Sequence, residues 1–180
     1  MVYVFLAEGF EELEALAPVD ILRRGGIEVK TVGVGGKTVI GSHNIPVLCD
    51  LADEEISLNE DTQAVVLPGG MPGSLNLQKS EAVNKAIDYA YDNGKIVAAI
   101  CAAPLILGEK GLLKGKRATC FTGFEDRLLG AQIIEEPVVV CENIITAYGA
   151  GAALEFGFEL LCALTSKEKA EDLRKAMRCI

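Results

Sequence analysis

Cys101 stands at the end of an apolar run, Ile96-Val97-Ala98-Ala99-Ile100, and directly before a helical segment that opens near Ala102. The run predicts a buried parallel strand. Small residues two positions before the cysteine (Ala99) and two after it (Ala103) suit a tight strand-to-helix bend. The same steric demand shapes the nucleophile elbow of hydrolases, where glycines usually fill those two places. Such a bend presents the sulfur at the carboxyl edge of a sheet, beside the first free amides of a helix. Those amides and the helix dipole favour the thiolate. A free thiol of pKa about 8.5 is only slightly ionised at neutral pH, and holding it ionised demands about 3–4 kcal/mol of differential stabilisation. Cys101 is therefore the candidate nucleophile. The alternative is a small apolar filler, the usual role of a buried cysteine.

Acids cluster at the front of the first helix: Glu8, Glu11, Glu12 and Glu14. Acids in a first turn complement the helix dipole, which is reason enough for most of them. Glu14 differs because it shares the buried side of the helix one turn further in. A carboxyl group beside a thiolate is pushed toward protonation by like charge and by burial. It can then donate a hydrogen bond to sulfur or move a proton on a bound substrate. Leu67-Pro68-Gly69-Gly70 leaves backbone amides uncovered, so that Gly69 and Gly70 can hold an oxyanion; read otherwise, it is a plain tight turn. Gly149-Ala150-Gly151 precedes a helix whose N-terminus suits an anion, without the dinucleotide-binding fingerprint. His43 lies in an edge hairpin, as a surface or interface residue. Cys120 is a core residue or, alternatively, a resolving thiol.

Strand and helix signals alternate along the chain, which predicts an α/β fold with a mostly parallel sheet in three layers. Strands are expected at Val2–Leu6, 27–34, Ala64–Leu67, Ile96–Ile100, near 117–120, and at Val138–Cys141 and Ile144–Ala147. A hairpin pairs Thr38–Ile40 with 45–48 at a sheet edge, and 50–61 is loop with a helical turn. Helices are expected over 11–24, 81–93, 102–108, 152–164 and from a Ser166 cap to about 177. In the first helix, Leu13, Leu16, Ala17, Ile21 and Leu22 are expected near one buried face. Ligands of open α/β sheets bind beyond the carboxyl ends of the strands. There the loops 8–14 and 69–70, the Cys101 bend and the loop 149–151 are expected to converge.

The chain of 180 residues suits one domain, 1–180, and its 50% apolar residues can build a full core without staples. A net charge of −9 and a pI near 4.7 argue against a nucleic-acid partner. No apolar run approaches the roughly 20 residues that cross a bilayer, so no membrane association is expected. The N-terminus has no basic lead, which argues against a signal peptide. Six cysteines without a CxxC pair, and a single histidine distant from them, make a zinc site improbable. Reduced thiols in a cytoplasmic protein are the simplest reading.

Glu11-Glu12-Leu13-Glu14 after the first strand, LPGG at 67–70 and AAICAAP at 98–104 together resemble the ThiJ/PfpI superfamily, closest to its DJ-one branch. The likeness runs nearly the whole chain, through YGAGAALEFGFELL at 148–161. The resemblance implies a flavodoxin-like three-layer sandwich, commonly a homodimer, with a reactive cysteine at a strained bend. It places the nucleophile on Cys101, a protonated glutamate on Glu14 and oxyanion-type amides on Gly69, Gly70 and Ala102. It implies no cofactor and no metal. The activities it implies are cofactor-independent glyoxalase or deglycase-like chemistry on 2-oxoaldehydes such as methylglyoxal. The alternative is an oxidative-stress sensor or redox-regulated chaperone whose cysteine becomes a sulfinate, so the partner is a small aldehyde or an oxidant. Many relatives carry a histidine about twenty residues after the cysteine, and here Phe121 takes that place. Peptidase action is not expected, because amide cleavage needs a strong general acid for the leaving amine. Within a homodimer, His43 is a possible contribution from the partner subunit.

Overall fold

The first strand, β1 (Val2–Leu6), is buried along its whole length. After it come α1 (Glu12–Arg24), β2 (Val29–Gly33), the strands β3 (Thr38–Ile40) and β4 (Pro46–Leu48), β5 (Leu51–Ala52) and β6 (Ala64–Leu67). Helices α2 (Gly73–Lys79) and α3 (Glu81–Asp92) lead to β7 (Ile96–Ile100) and the short α4 (Pro104–Glu109). β8 (Arg117–Ala118), β9 (Gln132–Ile133), β10 (Val138–Cys141) and β11 (Ile144–Ala147) precede α5 (Ala153–Leu164) and α6 (Lys167–Ala176). The computed structural model describes residues 1–179.

The main sheet has seven strands in the order β10-β11-β7-β6-β1-β2-β5. Only the β10–β11 pair is antiparallel; β1, β2, β5, β6, β7 and β11 run parallel. Side chains alternate across a strand, and β1 divides accordingly. Val2, Val4 and Leu6 enter a core shared with Ile21, Leu22, Phe156 and Leu160 of α1 and α5. Tyr3 and Phe5 enter the opposite core, with Leu77, Val83, Ile87 and Leu105 of α2, α3 and α4. Two apolar interfaces on one sheet make a flavodoxin-like three-layer α/β fold. No helix among the described residues is long and apolar enough to cross a membrane.

Connections leave β1 toward β2 on one side, while β6 and β7 continue the sheet on the other. The chain thus reverses direction across the sheet at β1 and β6. Loops after these strands part there and open a crevice at their carboxyl ends. The loop after β1 delivers the start of α1, and the loop after β6 delivers Gly69 and Gly70.

Several expectations are corrected. Leu13 and Leu16 lie 62% and 37% exposed, while Glu14, Ala15, Pro18, Ile21 and Leu22 form the buried face of α1. The inward stripe follows i, i+4, i+7 and i+8 from Glu14, and Leu13 lies a full 100° step away from it. The hairpin β3–β4 forms its own two-stranded sheet and does not extend the main one, whose edge is the short β5. Helix α2 occupies residues just beyond a Pro-Gly-rich loop, anchored by the fully buried Leu77. The helix after Cys101 starts only at Pro104, because a turn occupies residues 101–103.

Helix α1 is held against α5 by a close approach. A Cβ at Gly157 would stand 2.7 Å from Ile21 Cδ1 and 3.0 Å from the Pro18 Cα. Gly157→Val is expected to push the two helices apart and cost about 2–3 kcal/mol of unfolding free energy in urea. A loss below about 0.5 kcal/mol would show that this contact is not tight.

Candidate active site

Cys101 has φ of 63°, in the left-handed region that a residue with a Cβ rarely occupies. Holding it there costs about 1–3 kcal/mol, so the surroundings must impose it. They do so from both sides. The Cys101 N–H donates to the Ala147 carbonyl at 2.8 Å, and its own carbonyl accepts from the Phe121 N–H at 2.8 Å. Phe121 is fixed in turn, since the nearby Thr119 N–H donates to the buried Thr146 Oγ1 at 2.9 Å. Ala99, Ala102 and Ala103 around the bend are all buried. Larger side chains would have no room.

Glu14 is 1% exposed. Its position follows from the cap of α1, where the Glu11 carboxylate accepts from the Glu14 N–H at 2.8 Å. Glu14 Oε2 accepts from the Gly69 N–H at 2.9 Å. A Cβ at Gly69 would stand 2.5 Å from Glu14 Oε2 and 2.6 Å from the Cys101 Cβ. Glycine at 69 is therefore what allows carboxyl, loop and cysteine to meet. Gly70, at φ of 89°, and Ala102 both turn their amides onto the sulfur. Gly149 covers the other side of the carboxyl. A Cβ placed there would be 3.2 Å from Phe121 Cδ2 and 4.0 Å from Glu14 Oε1.

These contacts reassign one expected role. The Gly69 amide already serves Glu14, so Gly70 and Ala102 are the amides that address the Cys101 sulfur. The loop 69–70 and the bend at Cys101 meet as expected. Gly149, from the loop 149–151 also expected at this edge, lies with them through its closeness to Phe121 and Glu14.

The electrostatics also depart from expectation. Burial pushes the Cys101 thiol up to about 12, and the Glu14 carboxylate adds to this by like charge and as a hydrogen-bond acceptor. The amides of Gly70 and Ala102 pull the other way without prevailing. The bend alone therefore does not ionise the sulfur. A helix that starts three residues later and spans only 104–109 leaves its dipole too weak for that task. Burial, with the Glu11 charge, likewise raises Glu14 to about 7, against hydrogen bonds from the Cys101 thiol and the Gly69 amide. Two acids in contact titrate as a pair. This pair sheds its first proton near pH 7 and its second near pH 12, and carries one proton between.

His43 sits on the surface, with its Nδ1 2.7 Å from Glu12 Oε2 and its N–H donating to Glu12 Oε1 at 2.8 Å. This pair raises His43 and, despite burial, lowers Glu12. It ties the hairpin to α1 within one subunit. Glu11, Glu12 and His43 each bring one possible metal-ligand atom within 4.8 Å of the others. Both Glu12 oxygens are already engaged by His43 and Ser42, so the trio is built as an ion-paired latch. Cys120 is buried, and burial with the Glu125 charge pushes its thiol up to about 11, unsuited to attack. A cavity of about 800 Å³ lies between the end of β2 and α3 and includes none of the residues around Cys101.

An α/β sheet that presents a strained cysteine beside a buried carboxyl at its carboxyl edge defines a class of cysteine-elbow proteins. Residues 1–163 match the model of the DJ-1/PfpI family, and the chain belongs to that family. It is 34% identical over 177 residues to protein dj-1beta of Drosophila melanogaster, covering 97% of this chain and 94% of that protein. It is 28% identical to the glutathione-independent glyoxalase DJR-1.2 of Caenorhabditis elegans, covering 94% of this chain and 91% of that one. Oxidized Toxoplasma gondii DJ-1 superposes with a TM-score of 0.93 at 32% identity, covering 98% of this chain and 96% of its own.

Because the folded pair sheds its first proton only near 7, where a free carboxyl loses its own near 4.5, the native state holds this proton more tightly than the unfolded chain. The resulting stability is complete below about pH 4.5 and is lost as pH rises through 7. Between pH 5 and 8 the protein is expected to lose about 2–3 kcal/mol from this group. Glu14→Gln, which mimics the protonated form, should flatten that slope in urea melts. Equal slopes for both proteins would contradict the raised carboxyl.

Proposed function

We propose that the protein is a cysteine-dependent, cofactor-independent glyoxalase acting on 2-oxoaldehydes such as methylglyoxal. The observation that carries this reading is the meeting of the Cys101 sulfur with the buried, raised carboxyl of Glu14 under two free amides. The nematode relative named a glutathione-independent glyoxalase supports the same class of chemistry.

In this reading the first proton lost near neutral pH leaves the sulfur, and Glu14 keeps its own. A protonated Glu14 no longer repels the thiolate; it donates a hydrogen bond to it, beside the amides of Gly70 and Ala102. The thiolate adds to the aldehyde carbon, forming a C–S bond, while the carbonyl electron pair moves to oxygen. Glu14 passes its proton to that oxygen and becomes a carboxylate. As a base it then takes the hydrogen of the former aldehyde carbon as a proton and delivers it to the neighbouring ketone carbon, while the hydroxyl proton of the former aldehyde oxygen passes to the ketone oxygen. The aldehyde carbon is thereby oxidised to a thioester and the ketone carbon reduced to an alcohol. Water cleaves the C–S bond, releases a 2-hydroxy acid and restores the pair with its single proton. Both redox changes fall within one molecule, so the cycle needs no external electron carrier.

A second reading has its own support. Phe121 supplies no ring nitrogen to the site, and a close structural relative is known in an oxidized state. As a sensor, the thiolate would take one oxygen from each of two peroxide molecules, releasing two waters and leaving a sulfinate.

Incubation with methylglyoxal is expected to yield lactate without glutathione. Cys101→Ser should abolish the yield, and Glu14→Gln should lower it by at least about 100-fold. Lactate formed at the wild-type rate by Cys101→Ser would overturn the glyoxalase reading. A selective gain of two oxygens at Cys101 under mild peroxide, without turnover, would favour the sensor; absence of both effects would sink both.

A further inference from the structure

A second cavity, of about 460 Å³, opens directly behind Phe121. That volume lies within the range that holds a small ligand. The residues lining it include the aromatic Phe121 and Tyr148, Ile133 and Ile134, and the acids Glu125 and Glu135. Neither lysine nor arginine lines it. The neighbouring cations are engaged elsewhere, Arg127 with Glu109 and Lys116 with Glu142. Among the described residues Glu125 and Glu135 enter no ion pair, and Glu125 is oriented by the Gly123 N–H at 2.7 Å.

Phe121 joins this cavity to the reacting sulfur. Its N–H is bonded to the Cys101 carbonyl, and its ring and Glu14 Oε1 both lie within 4.0 Å of the point above Gly149. A substrate held on Cys101 therefore has the Phe121 ring as a neighbour, with the cavity behind that ring. Beyond it, aromatic faces carry a negative quadrupole that attracts cations. Two unpaired carboxylates strengthen that attraction and repel anions.

We propose that this cavity seats a cationic group, so that the favoured substrates are carbonyl compounds bearing an ammonium or guanidinium on a short apolar stem. The proposal rests on Cys101 being the nucleophile, and it adds a specificity-determining role for Glu125, Glu135, Phe121 and Tyr148.

Methanethiosulfonate reagents carrying a trimethylammonioethyl, a methyl or a sulfonatoethyl group test it without any turnover. With each, the Cys101 sulfur displaces methanesulfinate and forms a mixed disulfide, read by peptide mass at Cys101. At low ionic strength the cationic reagent is expected to react at least about 10-fold faster than the anionic one. Glu125→Gln/Glu135→Gln should reduce that ratio about fivefold or more, while Glu168→Gln/Asp172→Asn on α6, which removes the same formal charge, should change it less than about twofold. Equal effects of the two double variants, or no effect of either, would overturn the cationic cavity and leave Cys101 as nucleophile untouched. Failure of Cys101 to react with all three reagents would overturn both.

Discussion

One proton shared between a buried carboxyl and a half-buried thiol constrains this molecule. Glu14 and Cys101 are in contact and do not ionise independently. Around neutral pH together they admit a single negative charge. Glu14 accepts from the Gly69 amide, and the amides of Gly70 and Ala102 address the sulfur. The proposed glyoxalase chemistry requires the charge on sulfur beneath a protonated Glu14, a nucleophile with its proton donor in place.

The fold exists in the form it does partly to hold these atoms at contact. Glu14 arrives on α1 from the loop after β1, Gly69 from the loop after β6 and Cys101 from the end of β7, three adjacent strands of one parallel sheet. Parallel strands release their loops at the same edge, so segments distant in sequence converge there without further design. Small residues then set the spacing. Gly69 admits the carboxyl to the cysteine, Gly157 admits α1 to α5, and the alanines around Cys101 admit the bend. The left-handed backbone of Cys101 is held by hydrogen bonds from Phe121 and to Ala147, so the strain is carried by the sheet.

Much of this was legible in the sequence because it depends on local pattern. Wholly apolar runs of four or five residues identified β1, β6 and β7, and small residues two places either side of Cys101 marked the bend. Glu14 stood out because it shares the buried side of the helix one turn in from Glu11. What depends on distance between remote segments was not legible. The thiol was expected to be lowered by its helix, yet burial, together with Glu14 against the sulfur, reverses the direction. Gly69 was expected to hold an oxyanion, yet its amide is occupied by Glu14. Leu13 and Leu16 are apolar and at helical spacing, but helical periodicity alone does not say which stripe meets the sheet. The short strands β5 and β9, two residues each, carry too few side chains to produce any alternation.

The location of the shared proton is open to direct measurement through the rate of Cys101 alkylation by iodoacetamide as a function of pH. With the thiolate formed when the pair sheds its first proton, the rate rises with a midpoint near 7. A midpoint at the free-cysteine value of about 8.5, or a rate still climbing toward the pH of about 12 that Cys101 shows against an ionised Glu14, would place that proton on sulfur and contradict the arrangement described.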